Sequence, residues 1–233
     1  MDRSIYLALD FEDWKTTDEF LKNNQLHDVP VKVGMELFYQ EGPDVVRRLR
    51  DQGRDVFLDI KLHDIPTTIY KAMKNIAKLD VAVTNVHALG TGDMIRAAKE
   101  GLMDGSVSDT TPTLLAVTLL TSMDQRRLKE ELKITDTVEQ TAAHLAALAQ
   151  RNGADGVVCS AHEVELIKQK TTPDFLAVTP GIRLENSHHH DQKRVATPKL
   201  AKTLGADALV IGRSITGSTN PKQAYQKAEM EWS

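Results

Sequence analysis

The chain has 233 residues, an ordinary apolar content, a formal net charge of −4 and no basic block, which suits one domain with a sizeable core and argues against nucleic acid as a partner, since phosphate backbones call for clustered Lys and Arg. One cysteine, Cys159, excludes a disulfide framework and reads as a small buried hydrophobe in a reducing compartment. The opening MDRSIYLALDF lacks the apolar core of a secretory signal, and no apolar run approaches the roughly 20 residues of a membrane span, so a cytoplasmic protein with no membrane partner is expected.

Eight short runs rich in Val, Ile and Leu read as strands: SIYLALD from Ser4, VKVGMEL from Val31, VFLDIKL from Val56, VAVTNVH from Val81, TLLAVTLL from Thr113, GVVCSA from Gly156, FLAVTPGI from Phe175 and ALVIGRSI from Ala208. Helical patterns lie between most of them. PDVVRRLRDQG places Val45, Val46 and Leu49 on one face and stops at Gly53, and TVEQTAAHLAALAQRNG stops at Gly153. The pieces NGADGVV and LGADALV repeat one device, a glycine stop, then Ala-Asp, then a strand. Alternating strands and helices with short links imply parallel strands joined by crossovers, and eight such units fit a single (β/α)8 TIM barrel over residues 1–233. A doubly wound open sheet is the competitor, but it generally has fewer strands, and no glycine-rich dinucleotide fingerprint follows the first one.

FLDIKLHDIPTT then becomes the informative stretch, because it carries Asp59, Lys61, His63 and Asp64 where a strand should be buried. Alternation sends Leu58, Ile60 and Leu62 to one face and Asp59, Lys61 and His63 to the other. The apolar set suits the helix layer, so the charged set is expected to point into the barrel. By the same parity Tyr6, Ala8 and Asp10, then Lys32 and Gly34, then Asn85 and His87 point inward. These polar groups sit at or near the C-terminal ends of strands, where barrel enzymes keep their chemistry. Asp59 and Lys61 lie about 6.6 Å apart along the strand, close enough to pair. A lone buried ion pair is explicable as structure. Asp10, Lys32, Asp59 and Lys61 together, with Asp64 just beyond, are too much charge for packing alone and indicate a site.

Other segments carry weaker signals. Gly212 and Arg213 end the eighth strand, where barrels often hold a phosphate, although Arg213 could equally be a surface arginine. LLTSMD supplies Thr121 and Ser122 after the fifth strand, with Ser122 or Asp124 available as a helix cap. The long polar stretch TPGIRLENSHHHDQKRVATP after the seventh strand reads as a lid or binding loop, and its adjacent His188, His189 and His190 suit a solvated loop better than a metal site.

Taken in order, LALD, VKVGMELF, LDIKLHDIPTT, VHALGTG, LTS, TPGIR, DQKRVATP and VIGRSIT closely resemble the orotidine 5′-phosphate decarboxylases, bacterial type, over almost the whole chain from Asp10 to Thr216. The one departure is Thr91 before Gly92, where the family has a second glycine. The resemblance implies conversion of orotidine 5′-phosphate (OMP) to UMP and CO2 without cofactor or metal, in a homodimer with shared active sites. It implies Lys61 as the catalytic acid, Asp59 beside the substrate carboxylate, and Lys32 with Asp10 on the ribose. It also implies Thr121 on the pyrimidine, and Gln192, Arg213 and the Gly212 N–H on the phosphate with Arg183 nearby. Asp64, Ile65 and Thr68 would reach the neighbouring subunit's site, and residues 183 to 196 would form the lid. On this reading the aspartates oppose the penalty of burying the Lys61 ammonium, and the row should titrate as a unit. Two rivals stand beside this expectation. One is a magnesium-dependent sugar-phosphate synthase or decarboxylase of the same superfamily. The other is a non-catalytic nucleotide-binding barrel.

Overall fold

Each of the eight apolar runs contains a strand in the computed structural model, which describes residues 4–184 and 195–233. They are β1 (Ile5–Leu9), β2 (Val31–Gly34), β3 (Val56–Leu62), β4 (Val83–His87), β5 (Thr113–Val117), β6 (Gly156–Val158), β7 (Leu176–Thr179) and β8 (Ala208–Ile211). Every neighbouring pair is parallel and β8 pairs with β1, so the sheet closes in chain order. With helices in the crossovers this is the expected (β/α)8 barrel. Strands covered on both faces have no solvated side, which is why they appear in the sequence as nearly continuous apolar runs.

Two apolar clusters follow from strand alternation. Tyr6, Ala8, Phe57, Val83, Leu115, Val117, Val158, Val178, Ala208 and Val210 fill the barrel interior. The opposite strand faces pack on the helices in a larger cluster that includes Val45, Val46 and Leu49 of helix Pro43–Asp51. The polar groups of the site therefore stand on an apolar plug rather than over a pore. The last helix, Pro221–Trp232, closes back on β1 through the Tyr225 hydroxyl, which donates to the Ile5 carbonyl at 3.0 Å.

The repeated Gly-Ala-Asp device has a specific job. Gly153 and Gly205 take φ of +90° and +87°, the left-handed turn that ends a helix. Two residues later Asp155 accepts from the Leu114 N–H at 2.8 Å and from Lys99 Nζ at 2.7 Å. Asp207 does the same for the Ala177 N–H and Lys168 Nζ, both at 2.7 Å. Each aspartate thus ties the preceding strand to the helix that comes before that strand, near the N-terminal ends of the strands and away from the C-terminal mouth.

Strand β3 breaks its ladder with β4. Leu58 is opposite Thr84 and Leu62 is opposite Val86, so three residues of β3 face the single residue Asn85. Lys61 absorbs the excess with φ of +47°, a left-handed conformation rare for a residue with a side chain.

Candidate active site

The charged row is built by register. Ala8 lies opposite Lys32, and Gly34 lies opposite Asp59, so inward positions of β1, β2 and β3 meet at the C-terminal mouth. Lys32 Nζ is 3.0 Å from Asp10 Oδ1 and 3.4 Å from Asp59 Oδ2. Asp59 Oδ1 in turn accepts from Lys61 Nζ at 2.6 Å. The order Asp10, Lys32, Asp59, Lys61 alternates in sign. Gly34 makes room for it: a methyl group there would stand 3.0 Å from Lys32 Nζ and 3.2 Å from Asp10 Oδ1.

Burial works against charge at both central members, and their neighbours outweigh it. For Lys32 the penalty of leaving water is overcome by Asp59 and Asp10, and its pKa rises above the ordinary lysine value. For Asp59 the same penalty is overcome by Lys32, Lys61 and hydrogen bonds from Lys61 and Asn85, and its pKa falls. Both therefore remain ionised inside the mouth. The row is a fixed line of charge that need not reorganise when charge develops beside it.

A cavity of about 320 Å³ opens against this row. Val117, Leu119, Val158 and Val210 supply an apolar wall, suited to a flat ring. Thr121, Ser122, Arg183, Gly212 and Arg213 supply polar lining. Arg183 is buried and donates from Nη1 to the Ile182 carbonyl at 2.9 Å. Asp124, not Ser122, caps the helix Gln125–Glu130, its Oδ1 accepting from the Arg127 N–H at 2.9 Å. That leaves Thr121 and Ser122 to the cavity.

Of the residues singled out in the sequence, Asp10, Lys32, Asp59, Lys61, Thr121, Arg183, Gly212 and Arg213 meet around one cavity. Asp64, Ile65 and Thr68 do not line it and are exposed on this chain, with Asp64 Oδ1 accepting from the Ile65 N–H at 2.6 Å. Gln192, the three histidines and most of the expected lid lie outside the described residues. His63 corrects the strand-parity expectation. The left-handed turn at Lys61 resets the alternation, so His63 is exposed and stacks on His87 with ring centroids 5.7 Å apart. Strand parity alone could not identify the apolar wall or the role of Gly34, since both depend on which strands lie side by side.

The closed barrel and the charged row at its C-terminal mouth define a (β/α)8-barrel enzyme. The chain belongs to the orotidine 5′-phosphate decarboxylase / HUMPS family, whose model matches residues 3–228. It is 51% identical over all 233 residues to the orotidine 5′-phosphate decarboxylase of Geobacillus thermodenitrificans, covering 98% of that protein. It is 46% identical to the enzyme of the same name from Bacillus cytotoxicus, again over the whole chain and 98% of the relative. Among solved structures, orotidine 5′-phosphate decarboxylase from Lactobacillus acidophilus superposes with a TM-score of 0.89 at 43% identity, over 99% of each chain.

Proposed function

We propose that this chain decarboxylates OMP to UMP and CO2 without a cofactor, with Lys61 as the catalytic acid. The observation that carries the proposal is the Lys61 ammonium, held 2.6 Å from Asp59 beside a cavity that Arg213 also lines. The names of the relatives supply the substrate.

The chemistry follows from charge. Breaking the bond between carbon 6 of the pyrimidine and its carboxylate leaves the electron pair on carbon 6, where the ring offers no useful sink. Many decarboxylases borrow a cofactor for this. Here the Lys61 ammonium stabilises the developing anion electrostatically and then gives carbon 6 its proton. The neutral amine recovers a proton from water, which balances the cycle. Asp59 faces the departing carboxylate and holds Lys61. Lys32 and Asp10 bind the ribose, and Thr121 bonds the pyrimidine. Arg213, the Gly212 N–H and Gln192 take the phosphate, with Arg183 beside them. Binding energy from the phosphate, remote from the reacting carbon, is thereby used at the transition state.

The active form in this proposal is a homodimer in the cytoplasm. Asp64, Ile65 and Thr68 enter the partner's site across a two-fold axis, which accounts for a large apolar side chain, Ile65, being 67% exposed. The magnesium-dependent rival needs carboxylates free to bind a metal. Both oxygens of Asp59 instead face ammonium groups, at 2.6 and 3.4 Å. The test is the loss of OMP absorbance on adding purified protein in the presence of EDTA. Turnover supports the proposal. Activity that needs added magnesium selects the rival, and UMP binding without turnover selects a nucleotide-binding barrel.

A further inference from the structure

We infer that Asn85 is a positioning residue for the reaction, holding Asp59 and the backbone of Lys61 in the arrangement that aims the Lys61 ammonium into the cavity. The inference rests on the assignment of Lys61 as catalytic acid made above.

Asn85 is fully buried on β4, on the inward face shared with Val83. Its Oδ1 accepts from the Lys61 backbone N–H at 2.8 Å, and its Nδ2 donates to Asp59 Oδ1 at 2.7 Å. The orientation of the amide is fixed by its partners, because a backbone N–H can only donate and the Asp59 carboxylate can only accept. Asp59 Oδ1 is also the oxygen that accepts from Lys61 Nζ. Three hydrogen bonds therefore close a loop from Asp59 to the Lys61 side chain, along Lys61 to its backbone N–H, and through the Asn85 amide back to Asp59.

The bulge explains why an amide is needed there. With three residues of β3 opposite Asn85, the ladder cannot supply a backbone acceptor for the Lys61 N–H, and the Asn85 side chain takes that place. Lys61 cannot be relieved by glycine, since its side chain is required. Its left-handed backbone must be held by surroundings instead. An aspartate at 85 would bring a second carboxylate against Asp59. An alanine would leave both the N–H and the carboxylate without this partner. The other charged or titratable groups near the loop are Lys32 on β2, His87 on β4 and His63 stacked on His87. Burial, His63 and Lys61 all push the His87 pKa down, so His87 adds no cation at neutral pH that could substitute for the amide.

The test uses Asn85→Ala and Asn85→Asp in the full chain, with thermal melts and UMP affinity measured alongside turnover. Displacing the acid from its line of approach should lower kcat of Asn85→Ala about a hundredfold. KM for OMP and Kd for UMP should stay within about threefold, because ribose, ring and phosphate contacts do not pass through Asn85. Asn85→Asp keeps the size and the acceptor but loses the donor, so its kcat at neutral pH should fall at least as far. Acid pH should restore part of that loss relative to the unaltered chain, because a protonated carboxyl regains an O–H to donate to Asp59. Turnover within about threefold of the parent in a folded variant overturns the inference, as does equal loss of kcat and UMP affinity. Failure of both variants to fold also overturns it, making Asn85 a scaffold residue. An unaltered chain that does not turn over OMP overturns the proposed function and this role together, whereas an active parent with unaffected variants overturns the role of Asn85 alone.

Discussion

Lys61 and Asp59 pair at 2.6 Å from the same strand, two residues apart, with Ile60 between them turned to the helix layer. The pair is local in sequence, but the charge balance is not. Asp59 also faces Lys32 from the next strand at 3.4 Å, so one carboxylate is shared by two ammonium groups. Removing Asp59 leaves Lys61 and the buried Lys32 without their shared carboxylate, and breaking a well-buried pair in this way costs several kcal/mol. The row is therefore rigid where the chemistry needs rigidity.

Lys61→Ala should abolish decarboxylation while leaving UMP binding detectable. Lys61 acts on a charge present mainly in the transition state, whereas ribose and phosphate contacts persist in the ground state. Stopped turnover with measurable UMP binding by calorimetry is the expected result, and turnover like that of the parent would remove Lys61 from the role.

Gly34→Ala tests the space around the row. The added methyl would sit 3.0 Å from Lys32 Nζ and 3.2 Å from Asp10 Oδ1, so this end of the row must give by a few tenths of an ångström. We expect kcat/KM to drop by about tenfold or more, with the melting temperature lowered by a few degrees at most, since the methyl displaces a side-chain tip and not backbone. Steady-state kinetics beside a thermal melt would separate the two effects. An unchanged kcat/KM would mean that Lys32 has freedom the packing does not suggest.

Stability should follow the row at both ends of the pH scale. The pKa of Asp59 is lowered in the folded chain, so its contribution is complete above the unfolded aspartate value near 4 and is lost as pH falls through the folded value. The pKa of Lys32 is raised, so its contribution is complete below the unfolded lysine value near 10.4 and is lost as pH rises through the folded value. In Asp59→Asn the melting temperature should be lower at neutral pH, and its decline below about pH 4 should be shallower than in the parent. An identical acid slope in the two proteins would assign that limb to other carboxylates.

Shared sites can be tested by mixing two inactive dimers, Lys61→Ala and Asp64→Asn. In a mixed dimer one site carries both defects and the other carries neither, if Asp64 serves the partner. Random exchange makes half the dimers mixed, so activity should return to about a quarter of the parent's. No recovery after exchange has been verified by mass would place Asp64 in its own chain's site.

The sequence by itself determined the barrel and the main line of charge. Eight apolar runs, each short enough for a strand and most of them separated by helical patterns, admit few topologies. Alternation within a strand then sends Asp59, Lys61 and Lys32 inward without any knowledge of their neighbours. Local period carries these facts, so local sequence suffices to read them. Arg213, Thr121 and Gly212 were legible mainly through resemblance, because a glycine-arginine pair or a lone threonine has no pattern of its own. Tertiary structure alone decided the rest. His63 leaves the inward face because β3 carries two extra residues against β4, and a register between strands cannot be read from either strand separately. For the same reason Asn85 is recognisable in sequence only as an inward polar residue. Its bonds to the Lys61 N–H and to Asp59 exist because the bulge leaves that N–H without a backbone acceptor and sets both groups against the Asn85 amide.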